Sequence, residues 1–426
     1  MTNSSFASNH AEGSGGAIYG LGNLAMSIAD SFFEGNSLGD YHLGDYNWTF
    51  IPHVGRAVAS LATSATETTN NVFAKNHKWS VPETDYNAWV FGAVGIMFGQ
   101  YTSTNDLFTN NGVHIDANTP LSGYGGWVTG EGGAVYGDGI GVVLNIYNGT
   151  FLNNTAGFGG GLSIYGSCRV NDTYAPSVLT VADSRFVGNR ASGIGGAFNS
   201  YGAQISLNVS TSIFSENGAY SGGAIDAFCH SYPSQYFTDN IFDSNYATFT
   251  GGALTTEPSG GNFYFDSLQI TNNYCAMTGG GISLQAGDWA IPDGGIPESL
   301  GIPVNFTFVN TNVVNNTAGI EGGGISGDLW PAEWELPRLN FTIYLDESSS
   351  VTDNTAVAAR GGGINMKANR PFHEPMIIFD GTTVINNSPD DIHANDTGLI
   401  TGTLATFAQA VLGGNPALFA LGPSDS

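Results

Sequence analysis

Carboxylates and an imidazole crowd together most densely at Asp390-Asp391-Ile392-His393. Paired acids of this kind are the equipment of glycoside hydrolysis, one protonating the leaving oxygen and the other acting as base or nucleophile. The cluster follows Ser388-Pro389 near the end of a repeat array, where a polar turn is expected in any case. The remaining histidines (His10, His42, His53, His77, His114, His230 and His373) are scattered. Cys168, Cys229 and Cys275 show no CxxC or metal-ligand spacing. The first two fall at similar points two repeat units apart, roughly 10 Å along a stack of strand-spaced layers, which exceeds disulfide reach. They read as buried free thiols. Asp328, Glu333 and Glu335 could attract Ca²⁺, but no D-x-D-x-D-G loop supports such a site. No catalytic residue, metal or cofactor is therefore assigned, and the residues lean away from an enzyme.

Binding chemistry has more to work with. Trp48, Trp79, Trp89 and Trp127, with Tyr46, Tyr86 and Tyr124, are concentrated in three successive insertions. Trp and Tyr bring rigid apolar area with a polar tip, the usual material of a ligand-binding face. The competing reading is that these loops fold back and pack over the outer surface. Trp289, Trp330 and Trp334 lie in a second group of insertions, so all seven tryptophans fall outside the regular repeat. N-x-S/T acceptors at Asn148, Asn208, Asn305 and Asn340 are glycosylation candidates if the chain is exported from a eukaryotic cell.

The elements that must carry these residues are set by a repeat. Asn217, Asn245 and Asn273 are 28 residues apart, each preceded by an apolar residue at the third position before it and followed by a glycine-rich triplet. The pattern extends from Phe6/Asn9 to Val384/Asn387 and includes Asn154, Asn189, Asn316 and Asn354. A self-similar period of this length marks a stacked solenoid. Short alternating runs such as Val142–Tyr147 and Asn262–Phe265 mark strands rather than helices. One rung then holds three short strands: the alternating run, the F-x-x-N strand and the G-G-A-I strand. The phenylalanine faces inward. The asparagine ends its strand at a turn, where it tolerates left-handed geometry and its amide can bond the same residue one rung away. The fold expected is all-β, a right-handed parallel β-helix of about twelve rungs over residues 1–394, with a cap or tail at 395–426 containing a short helix from Leu404 to Leu412.

Within this frame the F-to-A distance, regularly 10 to 12 residues, lengthens to 24, 20 and 26 in the units ending at Ala57, Ala93 and Ala134. Consecutive insertions in the same turn must project from one flank. These are the loops that carry the first four tryptophans.

The residues also carry a family resemblance. F-x-x-N alternating with G-G-A-[ILV], present here as FLNN/GGGL, FVGN/GGAF, FSEN/GGAI and FDSN/GGAL, resembles the repeat of the chlamydial polymorphic outer membrane proteins and of similar bacterial and algal surface proteins. It covers nearly the whole chain. The resemblance implies an exported, often adhesive β-helix passenger, and it supplies no catalytic residues to carry over. No autotransporter barrel is present in this sequence, and the G-H-G and R-I-K-like elements of polygalacturonases are absent.

Composition narrows the partners. Ten Lys and Arg against 36 Asp and Glu give a formal charge of −26. Nucleic-acid binding depends on cationic neutralisation of phosphate and is disfavoured, as are anionic membranes and polyanionic substrates. Asp40, Asp45, Glu83, Asp85, Asp116 and Glu131 share the aromatic insertions and favour a neutral glycan over an anionic one. No apolar run reaches transmembrane length. No signal peptide precedes the first repeat, so the chain is expected to open in mid-array. The expectation is a cell-surface or extracellular protein that binds a glycan or protein ligand; a polysaccharide-active enzyme and a purely structural spacer are the alternatives.

Overall fold

The computed structural model describes residues 1–22, 25–38, 54–61, 65–77, 91–113, 130–139, 141–166, 176–202, 204–228, 234–258, 260–286, 303–329, 341–358, 360–368, 376–394, 400–407, 410–412 and 415–416. Among them there are strands and turns and no helix. One rung shows how the sequence makes the fold. Val143–Tyr147 alternates between buried and exposed side chains, as a strand with one face on a core must. Thr150–Leu152 places Phe151 in the core, Thr155–Ala156 forms a two-residue strand, and Leu162–Tyr165 closes the rung. The two-residue strand directly after the anchor asparagine is a fourth element beyond the three expected. It is too short to leave a pattern in the sequence.

Equivalent strands of successive rungs pair in parallel: Gln100 with Val143, Val143 with Val178, and Phe108 with Phe151. The result is a right-handed parallel β-helix. The chain divides into two compact units, the first formed mainly by Met1–Tyr201 and the second mainly by Ser221–Ser426.

In the first unit the core is a column of stacked rings. Phe6, Phe33, Phe73, Phe108, Phe151 and Phe186 follow one another with centroids 4.9, 4.8, 4.9, 4.7 and 4.3 Å apart. These are strand spacings, so the sheet register itself stacks the rings. Each such pair adds roughly 0.5–1.5 kcal/mol beyond its buried area. In the second unit the equivalent column turns aliphatic, Ile270 lying against Val313 and Val313 against Val351. Aromatic bulk moves to the long strands, where Phe263 and Phe265 lie in register with Phe306 and Phe308.

The anchor asparagines are buried from Asn36 to Asn354 and half-buried at Asn387, and their amides pair along the stack. In the first unit Asn154 donates through both its backbone N–H and its Nδ2 to Oδ1 of Asn189, at 3.0 and 2.9 Å, and through Nδ2 to the carbonyl of Phe108 at 3.0 Å. Its own Oδ1 accepts the same pair from Asn111. In the second unit Asn245 donates to Asn273, Asn273 to Asn316, Asn316 to Asn354 and Asn354 to Asn387 in the same way. The left-handed residue of this turn, however, is the one before the anchor. Lys75, Asn110, Asn153, Glu216, Ser244, Asn272, Asn315, Asp353 and Asn386 all have φ between 51° and 62°. Placing it there leaves the anchor side chain aimed along the stack.

A second polar column lines the turn before each inward phenylalanine. The Ser31 N–H donates to Asn71 Oδ1 at 2.9 Å and the Asn71 N–H to Asp106 Oδ1 at 2.7 Å. Asp106 is saturated by four donors: the Asn71 backbone and amide on one oxygen, and the Thr68 and Ser103 hydroxyls on the other. The middle glycine of each triplet is required by close approach. A Cβ on Gly252 would sit 2.0 Å from the Gly280 carbonyl oxygen.

The expected helix from Leu404 to Leu412 is a correction. Ile400–Phe407 pairs in parallel with Met376–Ile385, Ala410–Leu412 pairs with Ile392–Ala394, and Asn415–Pro416 turns back antiparallel on Ala410–Leu412. The last strands present a row of unpaired N–H and C=O groups, and ladder hydrogen bonds override local helix preference.

Candidate functional site

The aromatic residues singled out for binding, Trp48, Trp79, Trp89, Trp127, Tyr46, Tyr86 and Tyr124, lie outside the described residues, as do Trp289, Trp330, Trp334, Cys168, Cys229 and Asn340. The described rungs do fix where polar and acidic chemistry sits. Asn148 is exposed, left-handed at φ 50°, and donates through Nδ2 to Asn105 Oδ1 at 2.7 Å. Asn208 and Asn305 are half-buried on outward strand positions, the latter donating to Asn262 Oδ1 at 2.9 Å. Cys275 is a buried free thiol whose pKa burial pushes up to about 12.

The acid–histidine cluster is a turn at Asp390-Asp391 that runs into the strand Ile392–Ala394. Asp390 Oδ1 accepts the Gly361 and Gly362 N–H groups, at 2.5 and 3.3 Å, and Asp391 Oδ1 accepts both donors of Asn387 and so ends the asparagine column. His393 Nδ1 lies 3.5 Å from Asp390 Oδ2. Both carboxylates are thus committed to backbone and ladder donors. Among the described residues no group of three or more His, Cys, Asp or Glu could hold a metal.

The unusual feature is the outward side of the strands that follow the glycine triplets. A Cβ on Gly137 would meet the core residue Leu144, and one on Gly327 would meet Met366 and Ile343, so these positions point inward. Tyr136 and Asp138, and Ser326 and Asp328, therefore point outward. Yet Tyr136, Ser163 and Asn199 in the first unit, and Asp226, Thr255, Ser283, Ser326, Asn365 and His393 in the second, are all buried. Elsewhere the outward residues of long strands are exposed, as at Tyr147, Tyr236 and Tyr264.

Acids gather on this buried outward side. In the first unit Glu131 is buried, and its Oε2 lies 3.4 Å from the Ser163 hydroxyl. Burial first, and the Asp138 charge second, push its pKa up to about 8. Burial also raises Asp138, against the hydrogen bonds donated by the Tyr136 hydroxyl and the Gly139 N–H. The Tyr136 ring stacks on Phe91 with centroids 4.3 Å apart. Glu131 is accordingly not a surface charge of the aromatic insertions, as its sequence position suggested. In the second unit Asp226 Oδ2 accepts the Ser221 hydroxyl at 3.0 Å, while Ser221 Oγ lies 2.7 Å from Thr250 Oγ1. Asp226 is in register with Thr255, and Phe228 with Glu257, so the two acids are diagonal neighbours on adjacent strands. Burial raises both pKa values, and the Asp226 charge raises Glu257 further. Chemically, such pairs can exchange a proton or hold a hard cation.

Sequence reading passed over these acids because they have no local motif; aligning the triplet strands in register and asking which outward positions are polar would have found them. Among the described residues no helix is long and apolar enough to cross a membrane. No curated protein and no solved structure matches the chain. Residues 3–21, which hold Phe6-Ala7-Ser8-Asn9 and Gly15-Gly16-Ala17-Ile18, match the Chlamydia polymorphic membrane protein repeat. Residues 3–21 thus carry a repeat of the polymorphic-membrane-protein type.

Proposed function

We propose that the chain is an exported β-helix of the cell surface or extracellular matrix that binds a glycan or protein ligand without turning it over. The repeat match supports the location, since the repeat is named for a family of membrane proteins. The observation that carries the binding role is the segregation of aromatics: all seven tryptophans lie in insertions, while the repeated polar residues are committed to the stack. Nearby acids at Asp40, Asp45, Glu83, Asp85 and Asp116 favour a neutral glycan over a polyanion. One observation favours a second reading, a polysaccharide-active enzyme. Glu131, its pKa pushed up to about 8, faces Asp138, and a raised acid beside a second carboxylate is the pattern of glycosidases. Screening the chain on arrays of neutral and anionic glycans and matrix proteins, then incubating each bound glycan with it, separates the readings. Saturable binding without new reducing ends or unsaturated products supports the proposal. Product formation abolished by Glu131→Gln replaces it with the enzyme. No binding and no product leaves a structural spacer.

A further inference from the structure

We propose that Asp226 and Glu257, with the hydroxyls of Ser221, Thr250 and Thr255, form a binding site for a hard divalent cation, Ca²⁺, on the outward side of the triplet strands in the second unit. Other acids of this unit have partners that Asp226 lacks. Glu321 has Lys367 at 3.8 Å and the Asn365 amide at 3.3 Å. Asp390 has two backbone N–H groups and His393. Asp226 has the Ser221 hydroxyl alone, on Oδ2. Its Oδ1 is buried without a hydrogen-bond partner, in a residue only 1% exposed. No lysine, arginine or histidine among the described residues pairs with Asp226 or Glu257.

A buried carboxylate in this situation is costly unless it is paired, protonated or bound to metal. Among the described residues the surrounding donors are oxygen: two carboxylates on adjacent strands, the Ser221 and Thr250 hydroxyls 2.7 Å apart, and the Thr255 hydroxyl 3.1 Å from the Thr250 carbonyl oxygen. This set of described oxygen ligands suits Ca²⁺ rather than zinc or copper. Mg²⁺ demands near-ideal octahedral geometry and dehydrates reluctantly. Ca²⁺ accepts irregular oxygen sets completed by water, which suits ligands whose spacing is dictated by strand register. Glu257 is half-buried while Asp226 is fully buried, so Glu257 is the outer member of the pair, on the side from which a cation would enter. The first unit offers the contrast, because there Asp138 takes donors from Tyr136 and Gly139, and Glu131 has Ser163.

The test is the thermal stability of the full chain, stripped with chelator and titrated with CaCl₂ or MgCl₂ at constant ionic strength, together with bound Ca²⁺ counted by equilibrium dialysis. With a net charge of −26 the chain will gather cations diffusely, so the readout is the difference between variants. The expected result is a saturable Ca²⁺-dependent rise in Tm, at least tenfold weaker with Mg²⁺. Asp226→Asn and Glu257→Gln should each lose one bound Ca²⁺ and the saturable rise, whereas the exposed Glu216→Gln should keep both. Asp226→Asn is near-isosteric and removes an unpaired charge, so its metal-free melt should be no lower than wild type. If Asp226→Asn fails to fold, Glu257→Gln alone decides. A wild-type melt unmoved by Ca²⁺, or a saturable response retained in either variant, overturns the site and leaves two protonated acids.

Discussion

Replacing Asn154 with leucine tests the asparagine column where it is fully buried. The side chain loses its Oδ1, which accepts the backbone N–H and the Nδ2 of Asn111, and its Nδ2, which reaches the Phe108 carbonyl. Two buried donors on Asn111 are left without partners, and the Phe108 carbonyl loses one of the donors it accepts. At about 1–3 kcal/mol for each unsatisfied buried group, and with neighbours relaxing to recover part of it, the loss should be about 3–5 kcal/mol. Leucine has similar volume, so a cavity contributes little. Asn387→Leu, at the half-buried end of the column, should cost less, about 1–2 kcal/mol, because water reaches the orphaned groups. Repeat arrays depart from two-state unfolding, so urea denaturation should be paired with hydrogen exchange resolved to the peptide containing Asn111. The Asn111 amide should lose protection in Asn154→Leu and keep it in Asn387→Leu. A cost below about 1 kcal/mol with that amide still protected would refute the account of the column, since the figure lies beneath a single unsatisfied group.

Four further outcomes follow from the same physics. Gly252→Ala places a Cβ 2.0 Å from the Gly280 carbonyl oxygen and should prevent folding or lower the denaturation midpoint sharply; Gly35→Asn, at φ 65° where a Cβ would meet only Ser8 at an ordinary 3.7 Å, should be neutral or stabilising by up to about 1 kcal/mol. Glu131 binds its proton more tightly folded than unfolded, so it adds stability fully present below about pH 4.5 and lost as pH rises toward about 8. Glu131→Gln should therefore flatten the fall in urea midpoint between pH 5 and 8, and an unchanged slope would contradict the burial of that acid. Cys275, with its thiol pushed up to about 12 and buried, should stay unlabelled by a thiol reagent in the native state and label on denaturation, read by peptide mass spectrometry.

How far the sequence shows these features depends on whether a residue type repeats. Phenylalanine and asparagine recur at fixed offsets because ring stacking and amide pairing each demand one side chain, and the parallel β-helix was legible from them. The left-handed position was misplaced by one residue because it demands only a backbone angle, which Lys75, Asn110, Glu216, Ser244 and Asp353 all supply. The two-residue strands, such as Thr155–Ala156, are shorter than any period that could reveal them. In the tail, the spacing from Leu404 to Leu412 suits a helix, and only the open edge of Met376–Ile385 and Ile392–Ala394 makes it strand. The buried acids were hidden for a different reason. Glu131, Asp226 and Glu257 are isolated polar residues in the chain, and their environment is created by register between rungs.

The central claim, that recognition of the glycan or protein ligand resides in the aromatic insertions and the stack is their frame, is tested most directly by replacing Trp48, Trp79, Trp89 and Trp127 together with alanine. Binding to whichever glycan or matrix protein the wild-type chain retains should then be measured alongside the urea midpoint. The account predicts at least a tenfold loss of affinity with the midpoint unchanged. Undiminished binding, or a collapse of stability with no ligand retained by the wild type, would contradict it and assign those rings to packing.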